Sequence, residues 1–166
     1  FVNYMRRSDP GVNEVKEKFK LKKISSPYRG VCFYTGGVYN NGSHLIDLMS
    51  YWFGEIKSYK LISRSIDKKT TDPEIDFQIQ FDNCNVDFIS LKSVNFSLLT
   101  AEIFGSNSKI YYENEGRSVR FFKSVNCPNY DGYCATCFKQ LFPKDPRGTK
   151  KYGKQYRTIF CHCESV

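Results

Sequence analysis

The stretch "YTGGVYNNGSHLIDLMSYWFGE", residues 34–55, decides the reading of this chain. A turn rich in glycine and asparagine gives way at His44 to Leu45, Leu48, Met49 and Trp52, apolar at i, i+3, i+4 and i+7. That spacing is one buried helical face, and Gly54 is placed to stop it. If Asn40 or Asn41 caps the helix, His44 falls in its first turn, and Asp47, three residues on, shares its face. The free amides and dipole of a helix N-terminus oppose a second positive charge and favour neutral imidazole, while Asp47 pulls the other way. A neutral, oriented imidazole is what a general base requires. The same spacing also suits a packing histidine hydrogen-bonded to Asp47, and both readings stay open at this point.

Upstream, "SDPGVNEVKEKFKLKK" offers Ser8 or Asp9 as a cap and Pro10 in the first turn, with Val12, Val15 and Phe19 on one face and lysines toward the end. These are the marks of a short amphipathic helix. "SPYRGVCFYTGG" mixes β-branched and aromatic residues before its glycines and reads as a strand running into a turn. Downstream, "EIKSYKLISRSI", "EIDFQIQF", "NVDFISLKS", "NFSLLTAEIFG", "SKIYYENE" and "SVRFFKSV" read as strands. "FDNCN", "FGSNSK" and "NEGR" are the tight links that join antiparallel neighbours. The expected fold is α+β, a mainly antiparallel open sheet with helices packed on one face. Trp52 and Phe53 are assigned to its core.

The chain has 166 residues, enough for one domain that buries about 70% of the surface its unfolded form exposes. No apolar run approaches the roughly 18 residues of a membrane span, and "FVNYMRRSDPG" has no charged lead followed by an apolar stretch. A cytoplasmic location is expected. The chain begins at Phe1 rather than Met, which suggests a piece of something longer. The formal charge is +8, but residues 132–166 alone hold Lys139, Lys144, Arg147, Lys150, Lys151, Lys154 and Arg157 against Asp145 and Glu164. The same segment carries Cys134, Cys137, Cys161 and Cys163, so the charge and cysteine anomalies coincide and the rest is an ordinary, mildly basic domain. This argues against nucleic acid as a partner of the body of the protein.

Three separated segments together are more specific than any one. "VNYMRRSDPGVNEVKE", then "YTGGVYNNGSHLIDLMSYWFGE", then "AEIFGSNSKIYYENEGRSVRFF" resemble, in order and spacing, the C-terminal domain of the Gfo/Idh/MocA oxidoreductases, over residues 1–133. The resemblance implies a two-domain enzyme in which an N-terminal Rossmann domain binds NAD or NADP. The second domain closes the substrate site and forms the oligomer interface through its sheet. A lysine from an E-K-P motif in the first domain and a histidine from the second act on the sugar hydroxyl being oxidised. By position that histidine is His44, which would take the hydroxyl proton as hydride leaves for the cofactor.

Many members of that family have aspartate four residues before the histidine, where this chain has Asn40; Asn41, in "NGSH", is the alternative substrate contact. Neither G-x-G-x-x-G nor E-K-P occurs, so the chain alone is expected to bind no dinucleotide tightly and to be inactive. Arg6 and Arg7 are candidates for a phosphate or carboxylate of a sugar nucleotide, since guanidinium pairs bidentately with such groups, and a structural ion pair at a strand end suits them equally. They and the "NGSH" variant point within the family to surface-polysaccharide synthesis. Tyr34 and Tyr39 flank the turn and are candidate lining residues, with buried aromatic packing as the default reading. Asp47 is the candidate that orients His44.

The tail, residues 134–166, supports two readings. Cys134 and Cys137 form a C-x-x-C and Cys161 and Cys163 a tighter C-x-C, a weak zinc pattern. A disulfide is disfavoured in a chain with no secretion signal. The favoured reading is a frameshift near Gly132 to Cys134, because permitted codons for "YGKQYRTIFCHCESV" read one base along give "MENSIEQYFAIVNQ", a helical pattern without cysteine. Two rivals to the enzyme reading remain at this point. One is a non-catalytic module that binds or assembles through the sheet; the other is a zinc-stabilised basic domain.

Overall fold

The computed structural model describes residues 3–65, 71–92 and 94–123, with the backbone of two short strands at 138–139 and 158–159. A 3-10 turn at Met5–Ser8 leads into α1, Pro10–Lys20. The Asp9 side chain accepts the Gly11 amide at 2.8 Å, and Pro10, which has no amide to satisfy, opens the helix. Strand β1, Tyr28–Tyr34, runs through a π-helical turn at Gly37–Gly42 into α2, Ser43–Phe53, which ends at Gly54 in a positive-φ conformation of 87°. Leu45, Leu48, Met49, Trp52 and Phe53 are all buried, as their spacing predicts.

Six more strands follow: β2 Ile56–Ser65, β3 Glu74–Phe81, β4 Cys84–Ser90, β5 Leu99–Gly105, β6 Ser108–Glu113 and β7 Ser118–Lys123. Their order in one sheet is β2-β3-β4-β1-β5-β6-β7. Every neighbouring pair is antiparallel except β1 with β4, which run parallel with Tyr28 opposite Cys84. The sheet is therefore mixed, in an α+β domain. The parallel pair is the feature that hairpin signals cannot give, because its partners are joined through α2, β2 and β3. Strands β8, Phe138–Lys139, and β9, Thr158–Ile159, form a separate antiparallel pair.

Alternation along the strands puts one set of side chains under the helices. Cys32, Tyr34, Val86, Phe88, Leu99, Ala101, Ile103, Ile110 and Tyr112 are buried there. Aromatic rings stitch the layers: Phe19 of α1 meets Tyr28 and Phe53, and Trp52 meets Tyr112 edge-on at 6.3 Å. The indole N–H of Trp52 donates to the Val12 carbonyl at 3.0 Å, which fastens α2 to α1 and satisfies the buried indole. Burial pushes the Cys84 thiol up to about 12, although Arg29 opposes this.

The opposite face carries a ladder of charge pairs, Arg29 with Asp87, Lys109 with Glu102 and Arg120 with Glu113, with Tyr111 and Phe122 packed among them. No described helix is long and apolar enough to cross a membrane. Residues 1 and 2 and the tail cysteines Cys134, Cys137, Cys161 and Cys163 lie outside the described residues, and with them the zinc and frameshift readings.

Candidate functional site

The site forms where β1 hands over to α2. Gly36 and Gly37 take positive φ values of 76° and 85°, which turns the chain sharply off the end of β1. Helical winding then begins at Gly37, three residues before the asparagines considered as caps. Neither asparagine caps it. Asn40 and Asn41 lie inside the winding, where the Asn41 side-chain amide reaches back to the Thr35 carbonyl at 2.7 Å and ties the turn to the strand end. Ser43 donates its hydroxyl back to the Tyr39 and Asn40 carbonyls, both at 2.8 Å.

The cap comes instead from the loop before β3. Asp72 accepts the amide of Tyr39 at 2.8 Å with one carboxylate oxygen and that of Asn40 at 2.9 Å with the other. The Pro73 carbonyl accepts the amide of Val38 at 3.0 Å. Three successive amides that a helix start leaves without intrahelical acceptors are satisfied by two residues distant in the chain. A Cβ on Gly37 would lie 2.0 Å from the Asp72 carboxyl carbon, so the clamp requires glycine there for space as well as for φ. Asp72 and Pro73 escaped the sequence reading; their only local signal is the "TDP" turn.

His44 is the second residue of α2 and half-buried. Its ring meets Tyr4 edge-to-face, with centroids 5.6 Å apart at 84°. Its Nδ1 is buried with no hydrogen-bond partner. The expected orienting partner is engaged elsewhere. Asp47 accepts two hydrogen bonds from Arg7, from Nε at 2.8 Å and Nη2 at 2.5 Å, and none from His44. The correction has a physical reason: a guanidinium fork satisfies both oxygens of a nearly buried carboxylate at once, which a single imidazole N–H cannot. Arg7 is thereby occupied, and its guanidinium also lies 5.3 Å from the Tyr51 ring centre.

The remaining candidates divide. Arg6 keeps a buried Nε with no hydrogen-bond partner. Asn40 and Tyr39 are exposed beside the turn. Tyr34 does not line the site: it is fully buried and its hydroxyl donates to the Ile75 carbonyl of β3. Burial also pushes that hydroxyl well above the ordinary tyrosine value. Its position, two residues before the glycines but on the inward-facing set of β1, makes it core. The structure thus brings Tyr4, His44 and the turn at residues 37–42 together, with Arg7 and Asp47 as the brace between the first turn and α2. No group of three or more His, Cys, Asp or Glu among the described residues is arranged to hold a metal ion.

No protein-family model matches the sequence, and no curated protein matches it. Solved structures do match. Levoglucosan dehydrogenase in complex with NADH and levoglucosan superposes with a TM-score of 0.65 at 16% identity, over 86% of this chain and 47% of that one. An NAD binding oxidoreductase from Klebsiella pneumoniae gives 0.65 at 14%, over 85% and 46%. An oxidoreductase domain protein from Kribbella flavida gives 0.61 at 15%, over 84% and 45%. At these identities the likeness is one of fold: the mixed seven-stranded sheet with its helices is shared with part of these oxidoreductase structures. This chain spans about half the length of the structures it matches.

Proposed function

We propose that this chain is the substrate-side domain of an NAD(P)-dependent oxidoreductase acting on a sugar or sugar nucleotide, with His44 as the acid/base at the hydroxyl that is oxidised. The observation that carries the reading is the state of His44. It stands at the head of a helix, half-exposed, on a rigid turn, with Nδ1 unpartnered and its neighbouring carboxylate turned to Arg7. A histidine kept only for packing would be expected to have its ring nitrogens satisfied. The shared fold supports the reaction class, and levoglucosan in a matched structure is a sugar-derived ligand.

The described residues do not fit a dinucleotide. The one glycine-rich turn that could cradle a pyrophosphate has its amides at Val38, Tyr39 and Asn40 already accepted by Pro73 and Asp72, and the Asp72 carboxylate would repel phosphate. NAD or NADP is therefore assigned to the part of the enzyme corresponding to the other half of the matched structures. What this chain supplies is the substrate face. Asn40, exposed beside His44, offers both a donor and an acceptor to sugar hydroxyls. Arg6, half-buried on the first turn, is the candidate for an anionic group, and Asn41 and Arg7 hold the turn and α2 in place.

The test is His44→Ala in the enzyme that joins this chain to a dinucleotide-binding domain. Loss of a general base lowers kcat by about 10²- to 10⁴-fold. Full turnover by this variant, with circular dichroism unchanged, overturns the reading. Titration of this chain alone with NADH, followed by fluorescence, is expected to show no tight binding.

A second reading, a non-catalytic assembly module, has its own support in the ladder of charge pairs and aromatic rings on the face opposite the helices. In either reading that face is proposed to pair with a second copy in a cytoplasmic homo-oligomer. Light scattering distinguishes a monomer from an assembly. An oligomer that stays inactive once joined to an intact dinucleotide-binding domain favours the module.

A further inference from the structure

We propose that Asp72 is a positioning residue for His44, a cap supplied from the β2–β3 connection that fixes both the path and the electrostatics of the turn carrying the histidine. A helix start normally draws its cap from the residue just before it. Here that residue is Gly36, which has no side chain to offer. The two carboxylate oxygens of Asp72 accept the amides of Tyr39 and Asn40 at 2.8 and 2.9 Å, and Gly37 is kept free of a Cβ that would lie 2.0 Å from the Asp72 carboxyl carbon. Carboxylate, glycine and paired amides form one interlocking unit.

Two consequences reach His44. The winding that begins at Gly37 continues without a break through Gly42 into α2, so fixing the amides at residues 39 and 40 fixes the register in which His44 leaves the turn. The cap also places a negative charge at the end of the winding, where the backbone dipoles are positive, and so offsets the field acting on an imidazole one turn further on. Among the described residues, Asp47 and Arg7 pair with each other, and Glu74 and Asp76 act on the same Tyr34 hydroxyl as Asp72. The functional weight of the clamp rests on reading His44 as the acid/base; its existence does not.

The experiment is NMR on the full chain with Asp72→Ala and Asp72→Asn, reading amide hydrogen exchange at Tyr39 and Asn40 and the imidazole resonances of His44. Losing a charge-assisted pair of hydrogen bonds should speed exchange at those two amides on the order of tenfold in D72A, with the amides of β4 unchanged. D72N retains one acceptor oxygen and should restore part of the protection, yet still shift the His44 resonances because the charge is gone. Unchanged exchange and unchanged His44 resonances in both variants overturn the proposal. The readouts do not depend on turnover: His44 signals that respond to Asp72 in a protein whose H44A variant stays active would keep the clamp and remove the dehydrogenase reading.

Discussion

Arg7 and Asp47 are joined by two parallel hydrogen bonds, 2.8 and 2.5 Å long, across forty residues of chain. The Asp47 side chain is only 8% exposed, whereas the Arg7 side chain is 47% exposed. Removing the arginine therefore strands a buried acceptor, while removing the carboxylate frees a group that already meets water. Arg7→Ala should lower unfolding stability by about 1–3 kcal/mol and Asp47→Ala by less than the arginine change, in urea melts. The double variant should cost less than the sum of the two. Additive losses would mean the pair is not coupled.

Gly37→Ala places a methyl group where the Asp72 carboxylate sits and asks alanine to hold a φ of 85°. A loss of about 1–3 kcal/mol is expected from the backbone term alone, with the clash added to it. Combining it with D72A should recover the clash but not the backbone term. A double variant no more stable than G37A, once the separate loss from D72A is allowed for, would argue that the carboxylate does not lie over the glycine.

Tyr34→Phe tests whether that ring belongs to the core or to the substrate. The lost hydroxyl leaves the Ile75 carbonyl without that donor, so stability should fall by about 1 kcal/mol while substrate KM in the joined enzyme stays as it was. A raised KM at unchanged stability would return Tyr34 to the site.

Asp76 gives the fold a pH signature. Burial alone would raise its carboxyl, but hydrogen bonds from Ser63 and the Ser90 amide, with Lys92 nearby, outweigh that and leave it below the ordinary aspartate value. A lowered folded value means its contribution is complete above the unfolded value of roughly 3.9 and is lost as the pH falls through the folded one. The stability gap between the native chain and Asp76→Asn should therefore be constant from neutral pH down to about pH 5 and shrink below about pH 4. A gap unchanged down to pH 2 would show that the carboxylate charge is not what matters.

The local signals were legible because they are local. Val12, Val15, Leu45, Leu48 and Trp52 announce their helices by spacing, and two-residue links between apolar alternations announce hairpins. What escaped depends on partners far away in the chain. His44 and Asp47 share a helical face, so spacing pairs them, but a guanidinium from the first turn outcompetes the imidazole. Asp72 looks like any residue of a polar turn until β3 is laid beside β4 and its loop comes to rest over Gly37. Tyr34 was ambiguous for another reason: at the last position of a strand, one residue of register decides between core and cleft.

The place of β1 in the sheet has a consequence for how the protein comes to be. The segments β2-β3-β4 and β5-β6-β7 are meanders that neighbouring stretches of chain can zip up by themselves. β1 alone lies between them, matching Tyr28 with Cys84 on one side and Arg29 with Phe104 on the other. Such high contact order makes its insertion the slow step, since loop-closure entropy is lost before the contacts repay it. The His44 turn hangs directly from the end of β1, so it should acquire its geometry late, when the two halves have been joined. A partly folded chain would then hold sheet but no site, and on refolding the native imidazole resonances of His44 should return later than the strand signal.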